Sequence, residues 1–231
     1  MKAHLLSCLA GAAALAMPLV APMAAHAGAT DGKVQVKLMM TGVLPDGKID
    51  AVRTDLIGVP AGTQTRANDN WVPTAAIEYF LSSNFSIETI CCLTAHHVDG
   101  AGAIGTISNL VDNVLILPAT VTLKAHAPGL GPIKPYVGAG PSYFLILDSR
   151  VGAGGQALGA ASAKVHSKLG VALQAGVDIA LNESGLGLSL DAKRYLVRPI
   201  ASFYTATGVE ALSTRHKLDP WVVSAGLAYR F

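Results

Sequence analysis

The residues in this sequence that could do chemistry are charged side chains set singly into apolar segments. In each segment apolar residues recur at every second position, and the charged residue lies at one of the positions between them. Buried charges are costly unless they are paired, so four basic and four acidic groups on enclosed faces predict an ion-pair plug. A path for protons or ions is the alternative use of such groups. The eight groups are Lys37, Glu78, Glu88, Lys124, Asp178, Asp191, Lys193 and Arg230.

Other reactive residue types lack the spacing of a catalytic or metal site. Cys91 and Cys92 are adjacent, as are His96 and His97. On a strand, adjacent side chains point to opposite faces, so neither pair could bind one metal ion together. We find no spacing that assembles serine, histidine and acid into a nucleophilic triad. We therefore expect no enzyme, no metal and no cofactor.

The elements that position the charges are predicted to be β-strands. Apolar residues occupy every second position over residues 169–181 and again over 221–231, where aromatic residues stand at both ends of the apolar face. This alternation predicts strands with one apolar face and one small or polar face. We predict eight strands, over residues 33–43, 71–81, 85–97, 114–127, 134–147, 167–181, 185–198 and 219–231.

The composition indicates how these strands close. Hydrophobic residues make up 51% of the 231 residues and charged residues only 14%, which is unusual for a soluble protein. The net charge of +2 does not support binding of nucleic acid through basicity. After residue 27, no segment has the ~18 uncharged apolar residues of a spanning helix. The sequence therefore predicts an all-β fold, an eight-stranded antiparallel transmembrane β-barrel.

The start of the chain and the loop lengths indicate that this barrel lies in a bacterial cell envelope. Residues 1–27 have a basic start, an apolar run and the cleavage signal Ala25-His26-Ala27, so we expect a secretory signal peptide followed by a barrel over 28–231. Short connections alternate with long ones, the asymmetry of outer-membrane barrels. We therefore expect the outer membrane of a Gram-negative-type bacterium. The long connections are 44–70, 98–113, 148–166 and 199–218.

The long loops are rich in apolar residues, which is costly in loops that face water. One hypothesis is an apolar funnel over the barrel mouth, which suits passage of small hydrophobic molecules. The other is a surface receptor, an adhesin or a purely structural barrel, whose loops pack on one another or on a host or phage surface. The inward residues beneath the loops form a candidate apolar vestibule of Met39, Ile116, Pro118, Phe144 and Ile146.

Three segments resemble the OmpW family of outer-membrane proteins. Residues 134–140 read KPYVGAG, like that family's PYVGAG strand, and 191–195 read DAKRY, like its "D.K.Y" segment. Residues 218–221, LDPW, followed by the strand to Tyr229-Arg230-Phe231, are similar to its C-terminal strand. The resemblance covers residues 33–231. It implies a narrow apolar upper cavity, passive passage of small hydrophobic molecules and their exit sideways through the wall.

One residue departs from the family pattern and suggests where that exit lies. Pro141 follows the glycine-rich motif, and proline cannot donate to a strand ladder, so we expect a bulge or kink there. We place the lateral exit near Pro141 or another strand irregularity. The expected partners are outer-membrane lipid, small hydrophobic solutes and the barrel-assembly machinery, the last through Phe231, with no nucleic acid.

Overall fold

Antiparallel strands account for most of the computed structural model, which describes residues 31–128 and 130–231. The expected signal peptide lies outside the described residues. The strands are β1 (Val34–Leu44), β2 (Lys48–Asp55), β3 (Thr63–Ala67), β4 (Asn70–Phe80), β5 (Phe85–Cys91), β6 (Thr94–Gly102), β7 (Val111–His126), β8 (Ile133–Val151), β9 (Ser162–Val165), β10 (Lys168–Ala180), β11 (Leu186–Leu196), β12 (Ile200–Tyr204), β13 (Glu210–Lys217) and β14 (Trp221–Arg230). A short helix, α1, covers Ala153–Ala157, and no helix of the described chain could span a bilayer.

The strands close into the predicted eight-membered ring. Its order is β1, β4, β5, β7, β8, β10, β11 and β14, and β14 pairs again with β1. The pairing of β7 with β8 completes the circle, and β6 continues β5 along the same edge of β7. The prediction of an eight-stranded antiparallel barrel is therefore confirmed, with its third strand divided between β5 and β6.

The period-two pattern decides which side of the wall faces lipid. Large apolar side chains such as Leu38, Val137 and Leu173 are exposed on the outside, while their sequence neighbours point inward. On β14 the exposed aromatic residues Trp221 and Tyr229 lie eight positions apart. At about 3.3 Å per residue and a tilt of about 40°, they span about 20 Å of membrane, close to the height of a lipid-facing band.

The long connections contain strands. The prediction that these connections are loops was therefore wrong. β2, β13, β12 and β9 form a separate four-stranded sheet above the barrel, and β3 extends the wall by pairing with β6. These strands have four to eight residues, too few for a clear alternation. Apart from the β12–β13 hairpin, their partners are distant in sequence, as where Lys48 lies opposite Lys217. Tertiary pairing rather than local pattern therefore creates most of them.

The wall is interrupted between β5 and β6, at residues 92–93. Pairing of β5 with β7 ends at Ile90 opposite Thr120, and pairing of β6 with β7 starts at Thr94 opposite Ile116. Pro118 stands in the middle of the skipped part of β7, yet it keeps its place opposite Phe144 on β8. Its missing N–H donor therefore accounts for the skip on the β5–β6 side.

β4, the other neighbour of β5, also carries a proline. β4 pairs with β5 as far as Ala75 opposite Cys91, and Pro73 lies two residues farther along β4. Above the gap, the side-chain amide of Asn70 donates to the carbonyl of Ala95 at 2.9 Å. The gap is thus closed at both ends and flanked by a proline on each side. We call residues 91–93, together with Pro73 and Pro118, the strand break.

The structure does not show the expected bulge at Pro141. The register between β7 and β8 is the same on both sides of this residue, with Thr120 opposite Ser142 and Leu123 opposite Ala139. The adjacent Gly140 approaches β7 so closely that an added methyl group would collide with the carbonyl of Val121. The β7–β8 pairing skips Val121 and Thr122, opposite Pro141 and Gly140, without a change of register, and glycine lets the two backbones stay in contact there.

Candidate functional site

The lower half of the barrel interior is filled by a charged plug centred on Glu88. One carboxylate oxygen of Glu88 lies 3.2 Å from the Lys37 ammonium and 3.0 Å from that of Lys124, and the other lies 3.0 Å from Lys193. All four side chains are almost fully buried. Because an unpaired buried charge costs several kcal/mol, this geometry binds the inward faces of four different strands to one another.

Three further carboxylates complete the plug. Glu78 lies 2.9 Å from Lys37 and 2.8 Å from Lys124, Asp178 lies 3.2 Å from Lys37, and Asp191 lies 2.7 Å from Lys193. Neutral groups fill the remaining positions: the Tyr136 hydroxyl donates to Asp191 at 2.8 Å, and the Gln174 amide donates to Glu88 and Asp191. An interior so completely occupied leaves no wide aqueous channel. The charged plug comprises Lys37, Glu78, Glu88, Lys124, Asp178, Asp191 and Lys193.

Arg230 stands apart from the other seven predicted charges. Its Nε donates to the backbone carbonyl of Gly32, and its guanidinium lies 3.6 Å from the centre of the Phe80 ring. It therefore ties the end of β14 to the residues just before β1, beside the plug. The sequence places its side chain on the inward face, but it cannot show that a backbone carbonyl and an aromatic ring are its partners.

Glu78, His126 and Asp178 bring ligand atoms within 4.8 Å of one another, which is a possible metal-binding geometry. The ammonium groups of Lys37 and Lys124 already lie within 3.2 Å of these carboxylates. They provide the positive charge that a metal ion would bring, and they would repel one. His126 Nε2 lies 3.0 Å from Glu78, which fits an N–H donor in the plug better than a metal ligand.

Above the barrel, the external sheet and the loops enclose a vestibule of about 620 Å³. Its wall consists mainly of aliphatic and aromatic side chains from four different connections of the chain. Apolar loop residues predicted as a funnel thus lie around a common space. Representative lining residues are Ile57, Val59, Ile104, Ile107, Phe203 and Leu212.

Two histidines lie in this apolar wall, and both are hydrogen-bonded. His216 Nδ1 donates to the carbonyl of Gly47 at 3.3 Å, and the Thr214 hydroxyl donates to Nε2 at 2.7 Å. Burial lowers the pKa of His216, and the bond to Gly47 opposes this effect only in part. The ring is therefore neutral near pH 7. His96 is arranged similarly, between the carbonyl of Asn68 and the hydroxyl of Thr94.

A smaller lower cavity of about 20 Å³ continues the vestibule towards the barrel wall. His96, Ile116 and Leu218 line both spaces. The lower cavity also touches Cys92 and Pro118, so its wall includes the strand break. The Phe144 and Tyr195 rings meet edge to face at 5.2 Å and also line it. The lower cavity, which has room for about one water molecule, therefore shares part of its wall with the vestibule and reaches the interruption of the barrel wall, above the charged plug.

Four of the five predicted vestibule residues line the vestibule or the lower cavity, and the fifth lies elsewhere. Ile116 lines both cavities, Ile146 the vestibule, and Pro118 and Phe144 the lower cavity. Met39 instead packs with Ala76 and Ile90 in a separate cluster. Sequence reasoning missed the part that Cys92 and Tyr195 play in the lower cavity. Their inward strand positions were readable, but the interruption beside Cys92 depends on two prolines from neighbouring strands.

Comparisons with known proteins agree with this architecture. The model of the OmpW family matches residues 30–231. The chain belongs to the OmpW family. It is 33% identical to an uncharacterized outer-membrane protein, y4mB, of Sinorhizobium fredii, over 97% of this chain and 91% of that one. This OmpW-family chain is therefore a barrel of the outer membrane of a Gram-negative-type bacterium.

This OmpW-family chain is also similar to two proteins of Pseudomonas species. It is 29% identical to the dibenzothiophene metabolism operon protein DoxH of a Pseudomonas species, over 75% of this chain and 77% of that one. The crystal structure of the outer-membrane protein OprG from Pseudomonas aeruginosa has the same fold, with a TM-score of 0.77 and 23% identity. That match covers 88% of this chain and 98% of OprG.

Proposed function

We propose that this protein gives small apolar molecules passive passage from outside the cell into the outer membrane. They enter the vestibule, reach the lower cavity, are stopped by the charged plug and leave sideways through the strand break. The conduit is non-catalytic and needs no cofactor. The observation that carries the proposal is the lower cavity, because it shares lining residues with the vestibule and touches Cys92 and Pro118 at the interrupted wall. With a volume of about 20 Å³, this cavity must widen when a solute passes.

The chemistry of the route supports an apolar solute. A vestibule of about 620 Å³ lies within the range of about 300–1,000 Å³ that small-molecule sites occupy. The neutral ring of His216 leaves the wall without a charge there. The charged plug fills the direct path to the periplasm, which leaves the lipid as the exit. A relative is named for an operon of dibenzothiophene metabolism, and dibenzothiophene is an apolar aromatic molecule.

A surface receptor or adhesin is the second candidate, because some loop tips remain apolar and exposed. Leu56 is 69% exposed and Val209 is 51% exposed, and neither lines the vestibule. These side chains suit contact with another surface. A receptor, however, needs neither an apolar cavity nor a strand break beneath it. In either case we propose that Phe231 is the residue through which the barrel-assembly machinery recognises the chain.

The two candidates differ in uptake. We expect cells that express the protein to take up dibenzothiophene faster than cells that lack it, with no difference for l-glucose, a polar solute of similar mass. The reason is that an apolar route to the lipid is open while the charged plug blocks water-soluble compounds. Faster entry of both solutes would mean that the lumen is open. Faster entry of neither would reject the conduit in favour of the receptor.

A further inference from the structure

One sector of the external rim carries a cluster of basic side chains. They come from the base of the external sheet and the upper end of β11, and all are at least partly exposed. Three carboxylates lie among them: Asp46 and Asp50, which pair with members of the cluster, and the buried Asp219, which accepts a hydrogen bond from the Val197 N–H. The sector therefore has an excess of two positive charges. The basic patch consists of Lys48, Arg194, Arg198, Arg215 and Lys217.

The pairings within the basic patch are mostly long. Arg215 lies 2.7 Å from Asp50, but Arg198 lies 3.7 Å from the same carboxylate. Lys217 lies 3.9 Å from Asp46. Such exposed pairs contribute little, so these side chains are available to an incoming anion at small cost.

The basic patch lies at the level where lipid headgroups begin. Arg194 is opposite Trp221 in the ladder, and its guanidinium lies 5.3 Å from the centre of that indole ring. Trp221 is half exposed on the lipid-facing side, at the outer end of the apolar band. Tryptophan at this position marks the interface between hydrocarbon and headgroups. Arg198 and Lys217 follow immediately above it.

The side of the rim opposite the basic patch is not basic. On the opposite side of the ring, the ends of β3, β6, β7 and β8 carry more acidic than basic groups. Arg66 lies opposite Asp99 in the ladder, and Arg150 lies 2.9 Å from Asp148. Arg53, Lys164 and Lys168 are further exposed basic residues outside the patch. The rim thus has a basic side and an opposite, acidic side, which is a distribution expected of a binding surface. The acidic groups of the opposite sector are Asp69, Asp99, Asp112 and Asp148.

We propose that the basic patch binds the phosphate groups of a phosphorylated glycolipid of the outer leaflet. Guanidinium groups recognise phosphate through paired N–H donors, and ammonium groups add charge. A lipid would insert its acyl chains along the apolar wall below Trp221 while its phosphates meet Arg194, Arg198 and Lys217. This contact anchors the vestibule at a fixed height, and it does not depend on whether the barrel transports a solute.

The proposal is tested by titrating the purified full-length barrel in neutral detergent micelles with bisphosphorylated lipid A. We compare the wild type with a variant carrying Arg194→Gln, Arg198→Gln and Lys217→Gln. Because each basic residue near an anionic lipid surface adds to the attraction, we expect binding at least about tenfold weaker in this variant. The matched control carries Arg66→Gln and Arg150→Gln on the opposite sector and should bind like the wild type.

Three results would overturn the proposal. They are equal binding of lipid A from which both phosphates have been removed, unchanged affinity of the triple variant, and displacement of the lipid by an equal concentration of inorganic phosphate. The last would indicate a general anion site. Gel mobility of the unheated protein verifies that each variant is folded. If the triple variant is unfolded, the three single variants are titrated instead, and each should bind several-fold more weakly.

Discussion

Replacing Glu88 by alanine is expected to lower the free energy of unfolding of the barrel by about 3–5 kcal/mol. The Glu88 carboxylate lies within 3.2 Å of three buried ammonium groups, those of Lys37, Lys124 and Lys193. The variant leaves Lys193 with Asp191 alone, and Lys37 and Lys124 share fewer carboxylates than before. The measurement is urea unfolding of the folded protein in micelles, followed by tryptophan fluorescence.

Asp46→Ala provides the control for this effect. Asp46 also pairs with two lysines, Lys48 and Lys217, but these are 67% and 42% exposed. Exposed pairs contribute about 0–1 kcal/mol, so this variant should unfold almost like the wild type. A Glu88→Ala variant that is no less stable than Asp46→Ala would show that the charged plug does not hold the barrel together.

The second large effect is expected from repairing the strand break. Pro118→Val and Pro73→Val together restore one backbone donor on each side of residues 91–93. With these donors the ladder can continue from β5 into β6, because the register on β7 is the same above and below the gap. We expect uptake of dibenzothiophene to fall almost to that of cells without the protein, measured as initial rates in cells with equal amounts of folded barrel.

Pro141→Val is the matched control for the repaired variant. It also returns a donor to the wall, at a place where the β7–β8 pairing skips two positions but Gly140 keeps the two backbones in contact. This variant should retain the uptake of the wild type. If Pro141→Val abolishes uptake while the repaired variant keeps it, the exit lies at Pro141 and not at the strand break.

The barrel could be predicted because the two faces of each membrane strand meet different environments, and the sequence of the strand alternates accordingly. Along β10, lipid on one side and the interior on the other impose an alternation that is visible without any partner. The plug followed from the same rule, since charges on inward faces have only one another to pair with. Arg230 shows the limit of this reasoning, because its partners are the Gly32 carbonyl and the Phe80 ring.

The strand break was harder to predict because it depends on the register between strands. Pro73 and Pro118 lie 45 positions apart, and nothing local shows that both flank Cys92. Pro141 stood out in sequence since it follows a recognisable motif, yet the β7–β8 pairing skips it without a bulge, and Gly140 keeps the neighbouring strand close. The vestibule likewise depends on β2, β9, β12 and β13, whose pairing joins distant parts of the chain.

Labelling of Cys92 tests most directly whether an apolar route reaches the strand break. In a Cys91→Ala variant, Cys92 is the one cysteine after residue 27, and it lines the lower cavity. Intact cells are treated from outside with methyl methanethiosulfonate or with its charged trimethylammonium-ethyl analogue, and modification is read by mass spectrometry. We expect the neutral reagent alone to modify Cys92, and excess dibenzothiophene to slow the reaction. A thiol that resists both reagents, or that reacts equally with both, would contradict an apolar route.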